Sequence, residues 1–362
     1  MGNNWFDRWI FESYQPTIQG LALFRIFASL LILFFLMPDA AYYTDLASFP
    51  DDFFTPPPGP MMFFDSFPPA WFFYSIHVLL ALSWICVLIG FKTQKASIAA
   101  AIFMLILLGF IFSIGKVNHQ MLIILLPLLM AFSSWGGAYS FDAGLSGKKT
   151  KANGWTLTLL ALFIGFMMFT AGFPKILGGW LNGDTFATQG HLLNQYFIRG
   201  RTELLSGYMV SMNIPLIWGI LDWGTVFFET GFLIAVLRAG WTRLFVCFAV
   251  FFHFSTMLTL NIAFLVNFPA YAAFLPWGKI HESIASLVDL NEKPYTIPLV
   301  FGGALFCLFG IIKIIDKMYL LTPTREPSFD ELALISGAVL IVLTLGLKKA
   351  IGLFSSVRTQ SV

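Results

Sequence analysis

Charge is what this chain has least of. Of its 362 residues, 11% are Asp, Glu, Lys or Arg, against roughly 25% in a soluble domain, so a water-soluble globular fold is excluded. Lys and Arg number 21 against 19 Asp and Glu, a net charge of +2, which leaves no basic face on the scale that nucleic acid requires. Cysteine is scarce as well. Cys86, Cys247 and Cys307 all lie inside apolar runs, and none stands at metal-ligand spacing from another. No metal site is expected, and the redox compartment stays open. The chain has no Asn-x-Ser/Thr sequon, GxSxG elbow, P-loop, HExxH or CxxC, and Gly136-Gly137 and Gly178-Gly179 do not form a phosphate cradle.

Apolar residues make up 58% of the chain. They fall into runs near 18–37, 70–90, 96–114, 119–134, 155–173, 214–237, 242–266, 297–315 and 331–347, each close to the roughly 20 residues that span a bilayer. The expectation is an all-α, polytopic integral membrane bundle of about nine transmembrane helices, between eight and ten. The first run is too long and too late for an ordinary cleaved signal peptide and is read as a retained span. Lys92 and Lys95, then Lys148, Lys149 and Lys151, then Arg238 and Arg243, then Lys313, Lys317 and Arg325 fall in alternate loops. That places the N-terminus and these loops on the cytoplasmic side and the 174–213 segment outside. The first external loop, 38–69, has five aspartates and no Lys or Arg, and its Pro56-Pro57-Pro58-Gly59-Pro60 run excludes a helix there. Segment 174–213 contains an expected short helix near His191 to Arg201, re-entrant or interfacial, with Leu192, Leu193, Tyr196 and Phe197 at near-helical spacing.

Ionisable side chains in spans are costly and mark candidate sites. Asp222 and Glu229 are two helical turns apart and share a face, and His253 lies at similar depth in the next run. Together they form either a functional cluster or a structural polar network with Arg25 as a further member. His119 opens the fourth run, as a helix-end polar residue or a catalytic one. Lys175 follows an apolar run that ends in Pro174. It is either a snorkelling lysine or an amine made available as a base by desolvation. The 42 Phe and 11 Trp suit lipid-facing and packing surface, or a site for a ring compound such as a quinone.

Three stretches, in order, are similar to the HTTM (horizontally transferred transmembrane) domain family, which includes the membrane part of vitamin K-dependent gamma-glutamyl carboxylase. They are Asn118-His119 with a later Tyr139-Ser140-Phe141-Asp142 turn, Ala171-Gly172-Phe173-Pro174-Lys175 leading to Trp180-Leu181-Asn182-Gly183, and Phe252-His253 leading to Phe274-Leu275-Pro276-Trp277. Leu23-Phe24-Arg25-Ile26 resembles the family's first-span arginine. The resemblance implies that a lysine deprotonates reduced vitamin K or another quinone and that oxygen converts it to a strong base. That base removes a gamma-proton from a peptide glutamate, carbon dioxide adds to the resulting carbanion, and the quinone leaves as its epoxide. It places the catalytic lysine on Lys175 and the active-site histidine on His119. Trp180 and His253 are the expected cofactor-binding positions, and Arg25, Asp222 and Glu229 the expected structural polar cluster. It divides the chain into a cytoplasmic segment 1–17, a carboxylase-like transmembrane domain 18–280 and C-terminal helices and tail 281–362.

The full carboxylase carries a long soluble external region, and nothing comparable follows residue 290 here. The expected partners are therefore the lipid bilayer, a peptide substrate and a soluble protein supplying that region, and no nucleic acid. The expected location is a bacterial cytoplasmic membrane. A non-enzymatic role in maturing a secreted peptide is the alternative, and a transporter the third reading, although no repeated broken-helix pattern favours it.

Overall fold

The structure is a computed structural model describing residues 4–115, 117, 120–146, 151–183, 185–287, 296–319 and 327–359, without the side chains of 146, 318, 319 and 348–359. The described residues contain helices and loops and no strand. A short N-terminal helix, α1 (Trp5–Glu12), precedes the first span, α2 (Ile18–Leu36). The main elements that follow are α3 (Ala70–Ile89), α4 (Thr93–Phe112), the short α5 (Met121–Met130), α6 (Trp155–Leu177), the two-turn α7 (Ala187–Leu193), α8 (Pro215–Ala235), α9 (Ala239–Leu260), α10 (Trp277–Leu287), α11 (Thr296–Lys317) and α12 (Phe329–Leu347), with shorter helical turns between them. One of these, Ala40–Leu46, lies in the first loop, where no helix was expected, ahead of the proline run. Eight of these are long and apolar enough to cross a bilayer, and the protein is a polytopic helical membrane bundle.

The fourth apolar run is where length and path differ from expectation. Its helix, α5, has 10 residues, a rise of roughly 15 Å, about half the hydrocarbon thickness. Pro127 lies inside it, and turns follow through Ser133-Ser134 and Gly136-Gly137, with Ser134 and Tyr139 in the left-handed region at φ 68° and 50°. The chain nevertheless returns to the end it left. The Asp142 amide donates to the Gly90 carbonyl at 3.0 Å, and the Lys92 amide donates to the Asp142 carboxylate at 2.8 Å. A half-length helix and a run of turns therefore complete this crossing and bring Asp142 back beside Lys92.

The residues form two compact units that interleave along the chain. The first comprises 1–168, 232–242 and 266–311 and the second 169–231, 243–265 and 312–362. At one end of the first unit several loops are knit together. The Thr158 hydroxyl donates to the Ile10 carbonyl at 2.9 Å, the Trp9 indole to the Val236 carbonyl at 3.1 Å, and the Asn153 amide side chain to the Phe132 carbonyl at 3.1 Å. α2 runs through the middle of this unit, and α10 lies against its start. A Cβ on Gly20 would sit 2.9 Å from the Gly278 backbone nitrogen, so only glycine admits that approach.

The second unit holds the segment between α6 and α8. α8 presents Leu216, Ile220, Trp223, Phe227 and Ile234 outward, while Trp218, Asp222, Val226, Glu229 and Phe232 are buried. Both stripes follow helical spacing. The lipid-facing stripe is thus wholly apolar, and both carboxylates face protein.

Candidate functional site

Lys175 lies two residues from the end of α6, just after Pro174. Its ammonium meets the Glu229 carboxylate of α8 with Nζ 2.5 Å from both Oε1 and Oε2. The Lys175 side chain retains 22% exposure and that of Glu229 7%, so the pair is largely desolvated but open on the lysine side. Close helix approach makes the pairing possible. A Cβ at Gly172, one turn before Lys175, would lie 2.7 Å from the Glu229 Cβ, so α6 and α8 approach at a point that bears no side chain.

After α6 the chain turns through Gly178 and Gly179, the latter at φ 78°. The Trp180 amide donates back to the Lys175 carbonyl at 3.1 Å. This turn folds the indole over the ammonium, with Nζ 4.9 Å from the ring centroid, within range of a cation–π attraction. The imidazole of His191, on α7, lies 5.3 Å from the Trp180 ring centroid. Four side chains from three helices and a turn therefore converge in the order Glu229, Lys175, Trp180, His191.

Asp222 and Glu229 share a face, as expected, but take different partners. Asp222 is 1% exposed and binds the start of α7. Its Oδ2 accepts from the Ala187 amide at 3.0 Å, and its Oδ1 from the Thr188 amide at 2.7 Å and the Thr188 hydroxyl at 2.5 Å. His253, buried in α9, has its ring 4.7 Å from that of Phe264 and 5.5 Å from that of Phe252, an aromatic setting. Arg25 belongs to another constellation. It is fully buried in the first unit and donates to the carbonyls of Val87, Leu88, Trp135 and Tyr139. It therefore caps backbone where a partnership with Asp222 and Glu229 was expected. His119 lies outside the described residues.

Compared with known families, residues 14–272 match the HTTM domain. The chain belongs to the HTTM domain family. It is accordingly a membrane protein related to the carboxylase family. No curated protein and no solved structure matched it.

Within this HTTM domain the motif residues divide by task. Asp142, in the aromatic-Ser-x-Asp turn, accepts from the amides of Lys92 and Thr93 and from the Thr93 hydroxyl at 2.7 to 2.8 Å, capping the start of α4. Burial on its own would raise the pKa of this carboxyl. The Thr93 and Lys92 bonds and nearby Arg25 outweigh it and hold the carboxyl below its ordinary value. Trp277 donates its indole N–H to the Ala272 carbonyl at 2.7 Å. These positions build the scaffold, whereas the Lys175 stretch brings an ionisable group to a partly open position. Sequence reasoning did not single out His191 as a site residue, nor Gly172. His191 sits on an exposed, mixed segment where no periodic pattern marks it, and Gly172 carried a signal only as part of the Ala-Gly pair.

Proposed function

We propose that this HTTM protein is a membrane-embedded carboxylase-type enzyme in which Lys175 is the base toward a reduced quinone, coupled to carboxylation of a peptide glutamate. The observation that carries the reading is the short two-oxygen contact between Lys175 and Glu229 beneath the Trp180 indole. An ammonium and a carboxylate in a desolvated span are each costly. Moving one proton from Nζ to a Glu229 oxygen neutralises both groups and leaves a free amine lone pair. Glu229 is therefore the proton store that makes Lys175 a base, and the lysine's 22% exposure leaves that base reachable.

The residues present fit a planar, weakly acidic ring compound. An indole face offers stacking surface, and the amine beneath it takes a hydroxyl proton. When bound, a reduced quinone supplies the electrons with which oxygen becomes a base strong enough to remove a carbon-bound proton. Trp180 orients the ring face, and Lys175 Nζ accepts and holds the proton. The apolar surroundings of α6 and α8 keep bulk water from competing.

The deciding experiment incubates purified protein with vitamin K hydroquinone, oxygen and labelled bicarbonate, with and without a glutamate peptide, beside Lys175→Ala. Epoxide that is lost in the variant supports quinone chemistry, and label in the peptide extends it to carboxylation. Wild-type protein that is folded and makes neither product sinks the enzyme reading and favours a non-enzymatic role in peptide maturation.

A further inference from the structure

α7 is marginal on its own. Its seven residues run on into a five-residue π-helical turn, Asn194–Ile198, and the combined stretch only just reaches the roughly 12 to 15 at which isolated helices become marginally stable. Its N-cap residue, Phe186, makes no side-chain capping bond. The cap comes from another helix, since Asp222 on α8 occupies both of the first α7 amides and the Thr188 hydroxyl. This is what a local Asp or Ser does at an ordinary helix start, with the added attraction of a carboxylate for the positive end of the peptide dipoles. No Lys or Arg pairs with Asp222 among the described residues, so the start of α7 is what satisfies this buried charge.

The far end of the segment is pinned separately. Asn261 accepts from the Glu203 amide and donates to the Glu203 carbonyl, both at 2.9 Å, and the Leu205 amide donates to the Leu258 carbonyl at 2.9 Å. Between the pins, Leu192 is buried to 1%, and one turn of α7 separates Thr188 from His191, which abuts Trp180.

We propose that Asp222 is a positioning residue: by capping α7 from α8 it holds His191 against Trp180 and so keeps the indole over the Lys175 ammonium. The inference rests on the Lys175 reading only in what it implies for turnover. Its test does not require catalysis, so the two fail separately.

The test uses full-length protein in lipid nanodiscs and two readouts. One is hydrogen–deuterium exchange of the peptide covering 186–193. The other is acrylamide quenching of Trp180, taken as the difference between each protein and its Trp180→Phe counterpart. Asp222→Asn is expected to speed exchange in 186–193 by about ten-fold or more and to raise Trp180 quenching, with α8 and α9 exchange unchanged. Thr188→Val, which removes one of the three bonds, is expected to shift both readouts in the same direction by less. Unchanged exchange in 186–193 overturns the proposal. So does faster exchange without greater quenching, or a rise spread equally over α8 and α9. If Asp222→Asn fails to fold, Thr188→Val decides by the same criteria.

Discussion

Arg25 and Asp142 grip the two ends of one short turn. The guanidinium holds the Val87 and Leu88 carbonyls at the close of α3, and the carboxylate holds the Lys92 and Thr93 amides at the opening of α4. Each charge opposes the partial charge of the helix end it meets. The α3–α4 hairpin is thus fixed by two side chains that lie in neither helix.

Arg25→Met deprives four carbonyls of their donor, at an expected cost of about 3 to 5 kcal/mol. Arg25→Lys keeps the charge, loses the planar fork, and should recover only part. Thermal unfolding in detergent measures both, and a melting temperature unmoved in Arg25→Met would show that these bonds hold nothing.

Gly90 sits inside the same turn at φ 72°, where a Cβ would lie 2.2 Å from the Ser140 Cβ and 2.9 Å from Arg25 Nη1. Gly90→Ala combines left-handed backbone strain with overpacking and should cost more than about 2 kcal/mol. Gly183→Ala, with nothing within 4 Å of its Cβ, serves as control in the same unfolding assay and should change little.

Acid should loosen this corner in a predictable direction. Asp142 has a lower pKa folded than its ordinary 3.8, so the folded protein binds fewer protons there than the unfolded chain. The stabilisation is complete above the ordinary value and is lost as pH falls through the folded value. Stability followed from roughly pH 6 down to pH 3 should drop for wild type and be flatter in Asp142→Asn. Parallel curves would remove Asp142 from the account.

Lys175 and Glu229 should be strongly coupled. Removing either partner strands the other charge, so Lys175→Met and Glu229→Gln are each expected to destabilise by about 3 kcal/mol or more. The double variant should cost less than the two together by more than about 1 kcal/mol. Additive costs in the unfolding cycle would mean that the pair does not act as a unit.

Span placement was readable from the sequence because burial in lipid imposes a length and a composition that any window reveals. The shared face of Asp222 and Glu229 was also readable, since seven residues make two turns. Their partners were not. Which carboxylate meets Lys175 depends on α6 approaching α8 at Gly172, and which meets α7 depends on a segment with no periodicity of its own. The Arg25 pairing was hidden for another reason: its acceptors are backbone carbonyls, which every residue carries. In the fourth run, apolar composition suggested a full helix, while Pro127 and the Ser and Gly pairs after it diverted the backbone into turns.

Arg25 also sets an order of events during biosynthesis. Its acceptors lie 62, 63, 110 and 114 residues further along the chain. At roughly 5 to 20 residues per second, the last of them emerges many seconds after the arginine. Until then the first span carries a cation into lipid at a cost of about 2.5 to 3.5 kcal/mol. The arginine's donors are therefore satisfied by protein only once α3 and the turns after α5 have arrived, and its final setting is decided by residues the ribosome has yet to read.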